Sequence, residues 1–186
     1  MTSRNHLLPL ALAAALFAFG GPAHSADYVQ ASGSLDFTSA YQGEKFVGKF
    51  PDFQTRLSFD PAAPQDARLA VSISLGTADT QSSDRDSTLK SADFFNVAAF
   101  DSARYTAQGF TSIGDNRYAA EGTLELRGVK KPVTLTLTWT PGDHPVLTGE
   151  ATVKRLDFGV GAGDWADLSI IPDEVLVSTQ VTLRAE

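Results

Sequence analysis

Two pairs of carboxylates sit close enough along the chain to act together, Asp84 with Asp86 and Asp164 with Asp167. Paired carboxylates can divide general acid and base work, or hold a hard cation through their oxygens. Asp84 and Asp86 follow Ser83, a pattern that suits the first turn of a helix, where acids meet the positive end of the dipole. Asp164 and Asp167 belong to the loop Gly161-Ala162-Gly163-Asp164-Trp165-Ala166-Asp167, whose oxygen ligands suit calcium but whose spacing is not that of an EF-hand. Nucleophilic catalysis lacks its parts. The chain has three histidines and no cysteine. His6 and His24 lie in the first 25 residues, which leaves His144 in the turn Pro141-Gly142-Asp143-His144-Pro145. No G-x-S-x-G elbow precedes it, so a Ser-His-Asp triad has no frame to sit in. Zinc sites built from Cys and His are excluded by ligand number. These residue types favour binding over catalysis, with no metal.

The ends of the chain narrow the setting. Arg4 and His6 make a weakly basic start, Leu7 to Phe19 is an apolar run broken by Pro9, and Ala23-His24-Ser25 offers small residues at a cleavage site. This predicts a signal peptide over residues 1–25 and a single domain over 26–186. The apolar run is too short for a comfortable bilayer span, which needs about 20 residues. Residues 1–25 carry one of the 15 Lys and Arg and none of the 22 Asp and Glu, so the formal charge of the remainder is one unit more negative than the −7 of the full chain. A negative surface repels phosphate backbones and anionic headgroups, which disfavours nucleic acid and membrane-surface partners. Without cysteine, an exported chain of this length is held by its core alone.

Most of the remaining sequence alternates. Val133, Leu135, Leu137 and Trp139 face away from Thr134, Thr136, Thr138 and Thr140, and Tyr118, Ala120, Gly122, Leu124 and Leu126 alternate with polar neighbours. Residues 128–132 between them predict a hairpin connection. Further alternating runs cover 53–59, 69–75 and 175–183, with weaker ones at 28–38, 45–50, 103–112 and 147–156. Eight or nine strands with short turns make an all-β barrel or a sandwich. Small residues on the apolar faces, Ala120, Gly122 and Ala151, favour space inside.

One stretch breaks the alternation. Residues 84–100, DRDSTLKSADFFNVAAF, open with charge and end in Phe94, Phe95 and Phe100. Ser83 is placed to cap a helix starting at Asp84, with Lys90 near its end. A short helix carrying aromatics among strands reads as closure for one end of a sheet-built cavity.

The wording of that stretch resembles the R-D-x-x-L-x-S-x-D-F-F-D-V signature of the YceI-like proteins. Gly48-Lys49-Phe50 with Phe59-Asp60-Pro61, Gly122-Thr123-Leu124 through Gly128-Val129-Lys130-Lys131-Pro132-Val133, Arg155-Leu156-Asp157-Phe158-Gly159-Val160 and Asp173-Glu174-Val175 resemble further family elements in the same order. The resemblance implies an extended eight-stranded antiparallel lipocalin-like barrel with a helical insert near residues 84–100. It implies a bacterial periplasmic or secreted, non-enzymatic protein that binds a long apolar molecule such as a polyisoprenoid, an isoprenoid quinone or a fatty amide. Where many members carry His-Met-Gly, this chain has Ser39-Ala40-Tyr41-Gln42-Gly43. The Gly161 to Asp167 loop resembles a subgroup found beside cytochrome b561-type membrane proteins, which implies a redox-linked isoprenoid and such a protein as partner.

On that reading Phe37, Phe46, Phe50, Trp139 and Phe158 are the candidate ligand-binding wall, Phe94, Phe95 and Phe100 close an end, and Arg85 and Lys90 meet a polar head. Two other readings have their own signatures. A small enzyme with a carboxylate base needs an acid inside the cavity, and an envelope stress protein acting through a partner needs a large exposed apolar patch.

Overall fold

A computed structural model describes residues 25–186, so the segment read as a signal peptide lies outside the described residues except for Ser25. The alternating runs form β1 (Ala26–Tyr41), β2 (Glu44–Lys49), β3 (Phe53–Phe59), β4 (Arg68–Ser74), β5 (Ser102–Gln108), β6 (Thr111–Gly114), β7 (Arg117–Leu126), β8 (Val129–Thr140), β9 (Val146–Lys154) and β10 (Glu174–Ala185), with one helix, α1 (Ser83–Lys90). Eight of the strands follow one another around a closed antiparallel barrel, β1-β3-β4-β5-β7-β8-β9-β10, sealed by the pairing of β10 with β1. Closure leaves no long exposed edge.

Strand β1 makes closure possible because it is shared. One edge pairs with β10 from Tyr28 to Thr38, while the other pairs first with β3 through Ala26–Val29 and then with β2 through Asp36–Tyr41. The run 103–112 is two strands, not one: Gly109, at φ 75, turns the chain out of β5, and β6 then flanks β7. The hairpin expected over 128–132 also differs. The turn is only Arg127-Gly128, both at positive φ (53 and 73), flanked by the Leu126–Val129 pair. That is the two-residue geometry whose twist matches the strands it joins. Pro132 lies inside β8 opposite Thr123, in the stretch that β9 does not reach, so its missing N–H leaves no ladder bond unmade.

Inward-facing side chains fill the two ends of the barrel differently. At one end Tyr28, Phe59, Phe110, Tyr118 and Trp139 form a continuous ring stack, with Phe59 centroids 5.1 to 5.6 Å from Trp139, Tyr118 and Phe110, and Tyr28 5.4 Å from Trp139. At the other end α1 and the chain after it pack Leu89, Phe94 and Phe95 against Phe158 and Val160. Between these two plugs Val71, Ile73, Leu124, Val133, Leu135 and Val177 face inward yet are only half buried. Apolar residues pointing into a barrel stay half buried only when the space before them is empty.

Candidate functional site

That space is a cavity of about 530 Å³. Its wall is aliphatic: Val71 and Ile73 from β4, Leu124 from β7, Val133 and Leu135 from β8, and Val177 from β10. Room is left by small side chains. Gly149 and Ala151 of β9 border the cavity, and Ala151 stands opposite Val177. The aromatics need glycine beneath them. A Cβ on Gly48 would overlap the ring of Phe37, its cross-strand partner, and one on Gly122 would overlap Tyr105.

Tyr105 brings a hydroxyl into this apolar wall. It lies 2.9 Å from the Ala120 carbonyl and 3.1 Å from the Val133 carbonyl, to which its O–H donates. Burial pushes the phenol up to about 12, so at neutral pH it stays protonated, its O–H committed to main-chain carbonyls.

The lid is built from residues 83–100. Its N-terminus is Ser83 with Ser82 as the flanking residue, and no side chain caps it. Asp86 explains the difference from a Ser83 cap: its carboxylate turns back to accept from the Thr80 N–H at 2.8 Å and the Thr80 hydroxyl at 2.6 Å. Thr80 in turn accepts from Arg85 Nε at 2.9 Å, and the Arg85 guanidinium lies 4.3 Å from the centre of the Phe46 ring. Arg85 is thus held at the edge of the cavity by its Nε–Nη2 edge on Thr80 and by one face on Phe46. Tyr41, Ser82, Asp84, Arg85 and Thr88 border the cavity here, and Tyr41 is 41% exposed. This polar margin between the β1–β2 hairpin and α1 is the mouth.

One arginine fastens the lid to the barrel, and a second holds the loop that packs against it. Arg127, in the β7–β8 turn, donates to the carbonyls of Ala92 at 3.0 Å and Asp93 at 3.2 Å and to that of Gly159. Arg155 is 4% exposed and donates to five carbonyls: Pro172 at 3.0 Å, Val160 at 3.0 Å, Gly161 at 2.5 Å, Trp165 at 2.9 Å and Ile171 at 2.8 Å. Burial lowers its pKa, and the nearby Asp173 carboxylate works the other way. The loop that Arg155 gathers carries Trp165, whose ring meets Phe94 edge-on at 5.5 Å. Asp167, in the same loop, accepts from the Ser169 hydroxyl and N–H, which hold its carboxyl below the usual range.

The aromatic candidates divide. Phe37, Phe46, Phe50, Phe94 and Phe95 border the cavity, as does Arg85. Trp139 does not; it belongs to the ring stack at the packed end. Phe158 is buried behind the lid, Phe100 lies over Gly128 outside the barrel, and Lys90 is off the wall. The sequence reading gave the wall to aromatics, whereas the inward aliphatic positions carry most of it. Their signal was the alternation itself. Asp84, exposed at the mouth, is the sole carboxylate bordering the cavity among the described residues, and His144 is exposed in the β8–β9 turn.

The YceI-like domain family matches residues 26–185. A UPF0312 protein of Shewanella denitrificans is 34% identical over 171 residues, covering 84% of this chain and 88% of its own length. One from Ectopseudomonas mendocina is 31% identical over 169 residues, with 84% and 87% covered. Among solved structures the barrel is similar to Burkholderia cenocepacia BcnA, with a TM-score of 0.78 at 24% identity, over 81% of this chain and 95% of that one. It is also similar to a polyisoprenoid binding domain from Saccharophagus degradans, with a TM-score of 0.68 at 18% identity, over 88% and 100%. At these identities the two structures are likenesses of fold.

Proposed function

The chain belongs to the YceI-like family, and on that premise we propose that it binds, stores or carries an apolar molecule in its barrel without transforming it. The observation that carries this reading is the aliphatic cavity between two aromatic plugs. Each methylene moved from water into such a wall contributes roughly 0.8 kcal/mol, so a hydrocarbon tail supplies its own driving force. The fold neighbour from Saccharophagus degradans is described as a polyisoprenoid binding domain, which supports a polyisoprenoid, an isoprenoid quinone or a fatty amide as the ligand class.

Arg85 is the group we assign to the polar head. Its Nε and Nη2 are committed to Thr80 and its plane to Phe46, which leaves Nη1 for a head group at the mouth. A base for catalysis finds no support inside: the wall is hydrocarbon, and the Tyr105 hydroxyl is bonded to main-chain carbonyls. The proposed setting is the periplasm or the medium, reached by removal of residues 1–25. Trp165 of the Gly161–Asp167 loop borders the cavity beside the lid, so a cytochrome b561-type partner docking on that loop would meet the ligand where it leaves.

Native mass spectrometry of the protein purified without detergent, followed by organic extraction, tests the reading. A stoichiometric adduct that extracts as a lipid is the expected result. Protein that carries nothing, and takes up no prenol or quinone offered to it, would sink it.

A further inference from the structure

Resting on that reading for its purpose, we infer that the barrel docks on a zwitterionic phospholipid bilayer through the outer face of β1, β2 and β10 beside the mouth. Five large hydrophobic side chains are exposed among the described residues, and four of them gather here: Tyr41, Val47, Leu168 and Leu176. Val47 of β2 and Leu176 of β10 both pair with Thr38 of β1, so the three make one outward row. Tyr41 ends β1 at the rim of the cavity. The next residue, Gln42, donates its N–H to the Ile170 carbonyl at 2.8 Å, which brings the loop carrying Leu168 against the same hairpin. The fifth, Ile113, lies on β6, just after Phe110 of the ring stack at the closed end. Neither Val47 nor Leu176 reaches the cavity, so nothing inside the barrel accounts for their apolar character. A cluster of this kind marks a contact surface.

Charge selects the lipid. The formal charge of −7 on the full chain opposes an anionic bilayer. A zwitterionic headgroup instead carries a phosphate and an ammonium side by side. Beside the apolar row runs an outer groove bordered by Lys45 from β2 and Glu174 from β10, with Thr38 and Ala40 of β1 between them. Neither Lys45 nor Glu174 forms an ion pair among the described residues. Lys45 suits the phosphate and Glu174 the ammonium, while Val47 and Leu176 enter the acyl boundary below. Tyr41 fits the level between, where its ring is buried and its hydroxyl stays wet. Side chains already half buried gain little more on docking. Binding is therefore weak and reversible, as exchange of an apolar guest with a membrane requires.

The test is flotation of the purified protein with vesicles. We expect it to float with phosphatidylcholine–phosphatidylethanolamine vesicles, and less as phosphatidylglycerol replaces those lipids. Val47→Ser combined with Leu176→Ser should lower vesicle affinity about tenfold or more and leave the melting curve in place, since both side chains are exposed. Ile113→Ser, at the other end, should float like the wild type. Wild-type protein that stays with the soluble fraction overturns the docking surface. So does a double variant that floats as well as the wild type, an equal loss from Ile113→Ser, or a preference for phosphatidylglycerol. The lipid preference of the wild type decides the matter even if the double variant fails to fold. These outcomes leave the binding reading standing, whereas protein that floats but carries and takes up no apolar ligand overturns that reading alone.

Discussion

Arg155 donates every N–H it has to main-chain carbonyls of the chain between Val160 and Pro172, and among the described residues no carboxylate lies within salt-bridge distance of it. Its role is to give an irregular loop the hydrogen bonds that strands obtain from one another. Replacing it by leucine strips five buried or half-buried carbonyls of partners, and Arg155→Leu should lose about 3–5 kcal/mol, read as a fall in the urea midpoint. Arg155→Lys keeps the charge but not the planar fork, so it should recover little of the loss. A lysine variant as stable as wild type would show that charge, not geometry, is what matters. Tyr105 makes a different prediction. Its folded pKa of about 12 stands above the value of about 10 expected unfolded. Between those values the unfolded chain sheds its proton and the folded one does not, so this contribution is complete below pH 10 and is lost as pH rises towards 12. Tyr105→Phe should flatten the fall in melting temperature over that window, and an unchanged slope would remove Tyr105 as its cause. At this scale the sequence was only partly legible. Arg155 and Tyr105 stand in alternating or motif-like surroundings, but which carbonyls they reach depends on contacts up to 28 residues away.

The strands were the most legible elements, because alternation marks a half-buried face whatever the neighbours. Their ends were less so. The β7–β8 connection was placed over 128–132 because Lys130, Lys131 and Pro132 look like a turn, yet a positive-φ pair at Arg127-Gly128 reverses the chain sooner. An arginine at φ 53 is an unusual residue for that corner, and the clamp explains its presence: it reaches Ala92, Asp93 and Gly159. The turn and the clamp can be separated. Asparagine tolerates the left-handed region, so Arg127→Asn keeps the hairpin and releases the lid. The expected outcome is faster amide exchange over residues 91–100, with exchange in β7 and β8 unchanged, and faster release of bound ligand. Equal protection of the lid in the variant would assign its anchoring to Leu89, Phe94 and Phe95 instead. The helix itself was visible as a break in alternation, but its short length and purpose were not. Asp84 and Asp86 read alike as helix-start charges, and only the fold shows that Asp86 ties Thr80 while Asp84 stands at the mouth.

A closed barrel with an empty middle gives up packing that an ordinary core of this size would have, since side chains bordering a void lose dispersion partners on one side. Volume and stability are therefore opposed in this molecule, and a ligand resolves the opposition by filling the space. Anything that binds only the folded state adds about 2.7 kcal/mol when present at a hundred times its Kd, worth roughly 5–10 °C for a chain of this length. Stripping the ligand from the purified protein should lower its melting temperature by that order. Ala151, the cross-strand neighbour of Val177 on the cavity wall, offers the complementary experiment. Ala151→Trp places an indole where the tail would lie. The variant should copurify with no lipid, melt at or above the temperature of the stripped wild-type protein, and show no shift on stripping. If the empty middle were instead a packing defect with no ligand, Ala151→Trp would still stabilise, but stripping would leave the wild-type protein unmoved. The pair of melting shifts thus separates a cavity kept open for a guest from one that is merely unfilled.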